Sequence, residues 1–177
     1  MKESCQLAIE MNELVWSGFK GDLEDLTPEE VNWRPLPEAN DINTIVRHLR
    51  IEAQWHLGSL EHGEQMPHQI TARVQERIDS IPLDFEQNLK ELEESYTQFL
   101  AALRNGTLDT LQQQTALAYQ DFPAKTPMPA HLLGFHQAVH LATHWGQVRM
   151  IRNLYRKTRG EPARFFPDNP TFPRTSG

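Results

Sequence analysis

Residues 136–147 read HQAVHLATHWGQ and set His136, His140 and His144 four residues apart. A helix advances about 100° per residue, so neighbours at this spacing differ by about 40° in direction and about 6 Å in height, and two such imidazoles can converge on one ion. With 8 histidines in 177 positions, composition alone yields about 0.35 pairs at this spacing but only about 0.02 triplets, so the triplet is informative where a pair is not. The outer members stand about 80° apart and about 12 Å apart along the axis. Only one adjacent pair can therefore share a metal, and the third histidine sits beside it or lines a cavity.

The helix that carries the triplet opens at TPMPAHLL, with Thr126 as cap and Pro127 at its first position, and runs to about Lys157. Three more amphipathic segments precede it. Leu7, Met11, Leu14, Val15 and Phe19 follow a 3.6-residue period over 4–20, with Gly21 placed as a C-cap glycine. TPEEV has the capping-box pattern, Thr27 as N-cap and Glu30 at N3. Asp41 caps a second long helix over about 41–61, with the stripe Ile42, Ile45, Val46, Leu49 and Ala53, ending near Gly63. Residues 63–80 are polar, with a helical turn around ARVQERI. A third long helix begins near Pro82, carries Phe85, Leu89, Leu92, Tyr96, Phe99, Leu100 and Leu103, and ends at RNGT. Residues 107–126 lack a period and read as a long connection. The Pro-rich end, GEPARFFPDNPTFPRTSG, cannot continue a helix, and its phenylalanines suit a tail draped on the body. Four amphipathic helices with almost no strand signal imply an all-α helical bundle, one domain over 1–177 with the bundle at about 4–157 and an extended tail at 158–177.

Composition narrows the partners. The formal charge is −7, from 17 Lys and Arg against 24 Asp and Glu, and without a basic run nucleic acid is not expected. Cys5 is the single cysteine, which rules out an internal disulfide and suits a reducing compartment. No stretch approaches the roughly 18 apolar residues of a membrane span, so a soluble cytoplasmic protein acting on a small molecule is expected.

A metal ligand beyond the triplet must come from another helix, and His48 is the best placed. It lies in the apolar stripe between Ile45 and Leu49, where an imidazole without a partner is costly to bury. Three neutral imidazoles around a divalent ion leave positions open, as catalytic sites do. His56, His62, His68 and His131 occupy polar or terminal positions and read as surface residues. The competing reading is a set of buried histidines bonded to carbonyls, with no metal.

Two stretches resemble a known family. WRPLPEANDINTIVRHL, residues 33–49, is similar to the DinB-like (DinB/YfiT) superfamily where a Trp-x-Pro loop and a capped helix lead to a metal-binding histidine. HQAVHLATHWGQV resembles its last-helix signature, histidines four apart followed by x-Gly-Gln. The motifs stand in the right order about ninety residues apart, and the resemblance spans roughly 4–157. Asp41 departs from the usual Ser or Thr, Trp145 from the usual Arg, and the tail after Gly160 lies outside the pattern. The resemblance implies a four-helix bundle with up-down-down-up connectivity and a divalent metal, often zinc or nickel, held by three histidines. Position by position it assigns His48, His140 and His144 as ligands and leaves His136 one turn too early.

Zinc proteases of the HExxH type place a glutamate directly after the first histidine as general base. Here Leu141 stands there, which disfavours that route. A metal without an adjacent base still lowers the pKa of a bound thiol, and relatives in the superfamily resemble glutathione transferases in function. The expectation is therefore a metal-dependent S-transferase that activates a low-molecular-weight thiol for an electrophilic substrate. Glu52, one turn after His48, orients a ligand or accepts a proton if it is not simply a solvated acid on the helix face, and Gln147 hydrogen-bonds behind His144 if it does not merely pack. The alternatives are a hydrolase using Glu52 or His136 as base, and a non-catalytic metal-binding stress-response protein; relatives often form homodimers. On this reading His140→Ala abolishes metal binding while His136→Ala spares most of it. Elemental analysis of untagged protein decides, and equal loss in both variants means the other adjacent pair binds.

Overall fold

A computed structural model describes residues 3–62, 70–105 and 130–163. Within them the chain is all-helical: α1 (Glu3–Leu23), α2 (Pro28–Val31), α3 (Ile42–His62), α4 (Ile70–Ser80), α5 (Phe85–Arg104) and α6 (Ala130–Thr158). No helix among these residues is long and apolar enough to cross a membrane. The expected cap at Thr126, the connection at 107–126 and the Pro-rich segment from residue 164 lie outside the described residues.

Local chemistry accounts for most boundaries. Glu30 donates its backbone N–H to Thr27 Oγ1 at 3.2 Å, with Pro28 opening the turn. The Glu30 carboxylate turns inward to Arg156 at 3.1 Å, so the glutamate serves α6 more than its own cap. Asp41 Oδ1 accepts from the Thr44 N–H at 2.6 Å and Asp84 Oδ1 from the Gln87 N–H at 3.0 Å, each satisfying a donor that a helix start leaves orphaned. The turn expected near ARVQERI is the full helix α4. Arg47 of α3 binds its end, donating to the Ile78 carbonyl at 2.9 Å and to the Ile81 carbonyl at 3.4 Å.

Helix α1 corrects two expectations. It runs through Gly21, which is buried, to Leu23; Asp25, with φ 61°, takes the left-handed conformation beyond its end, which Asp tolerates better than most residues. The buried face is also different. Leu7 and Leu14 are 51% and 50% exposed, while Ala8, Ile9, Asn12, Trp16 and Phe19 are buried. Asn12 decides it: its Nδ2 donates to the carbonyls of Ala8 at 2.7 Å and Gly134 at 2.8 Å, and its Oδ1 accepts from Tyr96 O–H at 2.5 Å. One amide thus ties α1 to both α6 and α5, and Trp16 stacks on Tyr96 with ring centroids 4.6 Å apart.

The four long helices pair through specific contacts. Asn12 meets Gly134 and Asp22 meets Arg149, so α1 and α6 run in the same direction. A Cβ on Gly134 would lie 2.9 Å from Ala8 Cβ, so the absence of a side chain there allows this close approach. Arg50 bonds Asn88 at 2.7 Å, and the His56 and Phe99 rings lie 6.1 Å apart, which sets α3 alongside α5. Lys20–Glu93 and Glu13–Arg104 join α1 to α5 in opposed directions. Ile45, Leu49, Leu92, Phe99, Leu141 and Val148 fill the shared core.

If hydrophobicity alone chose the face of α1, Asn12→Leu would stabilise the protein. The expected result is the reverse. Tyr96 O–H loses its acceptor in a buried site, at a cost of about 2 kcal/mol, seen as a lower urea midpoint with an unchanged slope.

Candidate metal centre

On α3 the spacing Ile45, His48, Leu49, Glu52, Ala53, His56 lays one stripe along a single helix face. On α6, His136, His140, Leu141, His144 and Val148 do the same. The stripes meet head to tail: the rings of His48 and His144 lie 4.8 Å apart, and those of His56 and His136 5.3 Å apart. Residue numbers rise on one helix as they fall on the other, so α3 and α6 are antiparallel at this layer.

His48, His140 and His144 converge. His140 Nε2 stands 3.2 Å from His48 Nε2 and 3.2 Å from His144 Nε2, and one ligand atom from each ring lies within 4.8 Å of the others. Among the described residues this is the group of three whose geometry can hold a cation. Gln147 Oε1 lies 2.8 Å from His144 Nδ1. A carbonyl oxygen only accepts, so Nδ1 carries the proton and Nε2 keeps its lone pair for the cluster.

Burial holds the rings neutral. Desolvation, and then repulsion from His144, lowers His48 from 6.5 to about 4. Desolvation, followed by repulsion from His144, His48 and the further histidines, takes His140 to about 2. Burial also lowers His136, and it lowers His144 against the hydrogen bond that its Nδ1–H donates to Gln147. Neutral imidazole is the form that binds metal. His140 Nδ1 is buried and meets no hydrogen-bond partner among the described residues, whereas a ligating histidine ordinarily gives its second N–H to an acceptor. The fit to a divalent ion comes from the other ring nitrogens: the Nε2 atoms of His48 and His144 each stand 3.2 Å from that of His140, so three neutral donors face one point.

Around this trio the structure departs from the expected surface. His56 is completely buried and held at about 3, chiefly by desolvation and then by repulsion from His136. Gln137 and the Glu52 backbone favour its charged form in part, but neither ring nitrogen closes a well-formed hydrogen bond. Its place was readable: His56 lies eight residues after His48, on the same stripe. His131 is half-buried with its ring 6.4 Å from that of Phe135; the side chains of His62 and His68 lie outside the described residues. Glu52 is 4% exposed rather than solvated, and burial pushes its carboxyl up from 4.5 to about 7. His136 stacks on His140 with ring centroids 6.0 Å apart. Leu141, where HExxH needs its base, is fully buried in the core.

These shifts act oppositely on metal-free stability. For Glu52 the folded value exceeds the unfolded one, so the folded state holds more protons between pH 4.5 and about 7 and loses stability as pH rises through that window. For His48 the folded value is the lower, so stability falls as pH drops from 6.5 towards about 4. Glu52→Gln removes only the first effect. Its melting temperature is expected to exceed that of the unmodified metal-free protein at pH 8 and to lose this advantage at pH 4, as scanning calorimetry across that range would show.

The family whose sequence model matches this chain is described as Mycothiol-S-transferase, and the match covers residues 16–157. No curated protein matches the chain. No solved structure does so either. The matched span holds both histidine stripes, Gln147 and the buried Glu52, and on that match the chain belongs to the mycothiol S-transferase family, within the DinB/YfiT-like metal-dependent superfamily.

Proposed function

We propose that this protein is a metal-dependent transferase that moves a low-molecular-weight thiol, of the kind named by its family, onto an electrophilic small molecule. The observation that carries the reading is the convergence of three neutral Nε2 atoms from two helices, within a chain of a thiol-transferase family. The opposed contacts of α1 with α5 and of α3 with α6 support an up-down-down-up four-helix bundle as its scaffold.

His48, His140 and His144 would hold the ion, and imidazole donors suit zinc or nickel. When bound, a divalent ion supplies charge that lowers the pKa of a thiol at the site. Gln147 Oε1 keeps the proton on His144 Nδ1 and so fixes which nitrogen faces the centre. Glu52, poised near neutrality by its burial, is the group on the α3 stripe able to take up the proton a thiol gives up, at its carboxylate oxygen. Ile45, Leu49, Leu141 and Val148 flank the imidazoles with apolar surface, which limits water around the reacting sulfur.

Two measurements test this. Untagged protein is expected to carry close to one equivalent of a transition metal; less than about one tenth of an equivalent, for a site of this donor strength, would falsify the ligand assignment. Purified protein incubated with mycothiol and a chromogenic electrophile should consume both, and His140→Ala should abolish that consumption. A protein that binds the metal but turns over none of a broad panel of thiols and electrophiles would instead be a non-catalytic metal-binding protein. Gln147→Ala is expected to weaken metal binding about ten- to hundredfold, as chelator competition would measure.

A further inference from the structure

Trp145 directly follows His144, and its environment is built on three sides. Its indole lies against Gly18 of α1, where an added Cβ would sit 2.2 Å from Trp145 Cη2, 2.4 Å from Cζ2 and 2.9 Å from Cζ3. No real side chain tolerates such distances, so Gly18 is a slot cut to the shape of this ring. The indole N–H donates to Asp22 Oδ2 at 2.5 Å, and the Arg149 guanidinium lies over the ring, 4.6 Å from its centroid. Asp22 is itself immobilised: it is completely buried and paired with Arg149 at 2.8 Å and with the fully buried Arg152.

We propose that Gly18, Trp145 and Asp22 form a positioning latch that sets the rotation of α6 about its own axis, and so aims His140 and His144 at His48. This rests on the metal-centre reading above. Magnitudes make the link. An imidazole tip lies about 6 Å from its helix axis, so a rotation of about 20° carries it about 2 Å, against a tolerance of about 0.2 Å for a metal–ligand distance. Shared apolar packing specifies rotation less closely than directional contacts do, because cores tolerate alternative packings of aliphatic side chains. A planar ring in a slot on one helix, bonded at its edge to that helix's buried carboxylate, resists rotation in either sense. Trp145 touches neither metal nor substrate on this view; it acts through the histidine beside it.

The test uses full-length, untagged, metal-free protein titrated with Co(II), with circular dichroism to show that each variant is folded. Affinity and the visible ligand-field bands report the geometry of the three imidazoles, which a loss of stability alone would not change. Gly18→Ala is expected to weaken Co(II) binding about ten- to hundredfold, the range found when groups that orient ligands are removed, and to shift the bands. Trp145→Phe lacks the outer indole atoms that the new methyl would strike. In that background Gly18→Ala should therefore change affinity by less than about threefold, a coupling that independent sites do not show. If both single variants bind Co(II) like the unmodified protein with the same bands, or if their losses simply add, the latch is wrong and the metal centre stands. If the unmodified protein binds no Co(II), both ideas fail. Should Gly18→Ala not fold, Trp145→Phe decides alone: a loss of about tenfold supports the latch and unchanged binding overturns it.

Discussion

The constraint on which the rest depends is the burial of imidazoles where helical bundles ordinarily place aliphatic side chains. Five histidines from α3 and α6 meet at one antiparallel interface, and desolvation drives every one of them towards its neutral form. Such a layer opposes folding unless its lone pairs and N–H groups find partners. Two devices hold it in place. Apolar residues on the same stripes, Ile45 and Leu49 on α3 with Leu141 and Val148 on α6, bury well on either side. Polar anchors outside the layer then set the register, with Asn12 at one end of the α1–α6 contact and Asp22 with Arg149 and Arg152 at the other.

The anchors are unequal in kind. Asn12 satisfies three hydrogen bonds from a single amide and fixes how close α1 comes to α6 and α5. Asp22 and Arg152 form a fully buried ion pair, an arrangement that adds little net stability but is costly to break from one side. A site made of side chains on two helices needs its supporting residues held in one arrangement more than it needs additional stability.

Much of the architecture was legible before any coordinates. The 3.6-residue stripes of α3 and α5, the caps at Thr27 and Asp41, and the histidine spacing on α6 all follow from local rules, because capping and periodicity involve residues within a turn or two of one another. The readings that failed share a cause. Leu7 and Leu14 lay on a credible stripe but face solvent, because Asn12 finds partners on α5 and α6 that no local rule supplies. Gly21 suited a helix end, yet the helix passes through it and Asp25 takes the left-handed turn. His56 reads as polar surface in the sequence yet is completely buried, because its ring meets His136 of α6, while for Glu52 burial decides between the two roles the sequence left open.

The sequence by itself determined that the chain is helical, where most of the helices begin, and that imidazoles recur at a spacing able to share an ion, since those properties depend on backbone geometry and neighbouring residues. Which nitrogens face one another, which acids are buried, and the fit of Trp145 against Gly18 were decided only by tertiary structure. The reason is physical: each depends on contacts between residues tens of positions apart in the chain, and their energies exist only once the helices have come together.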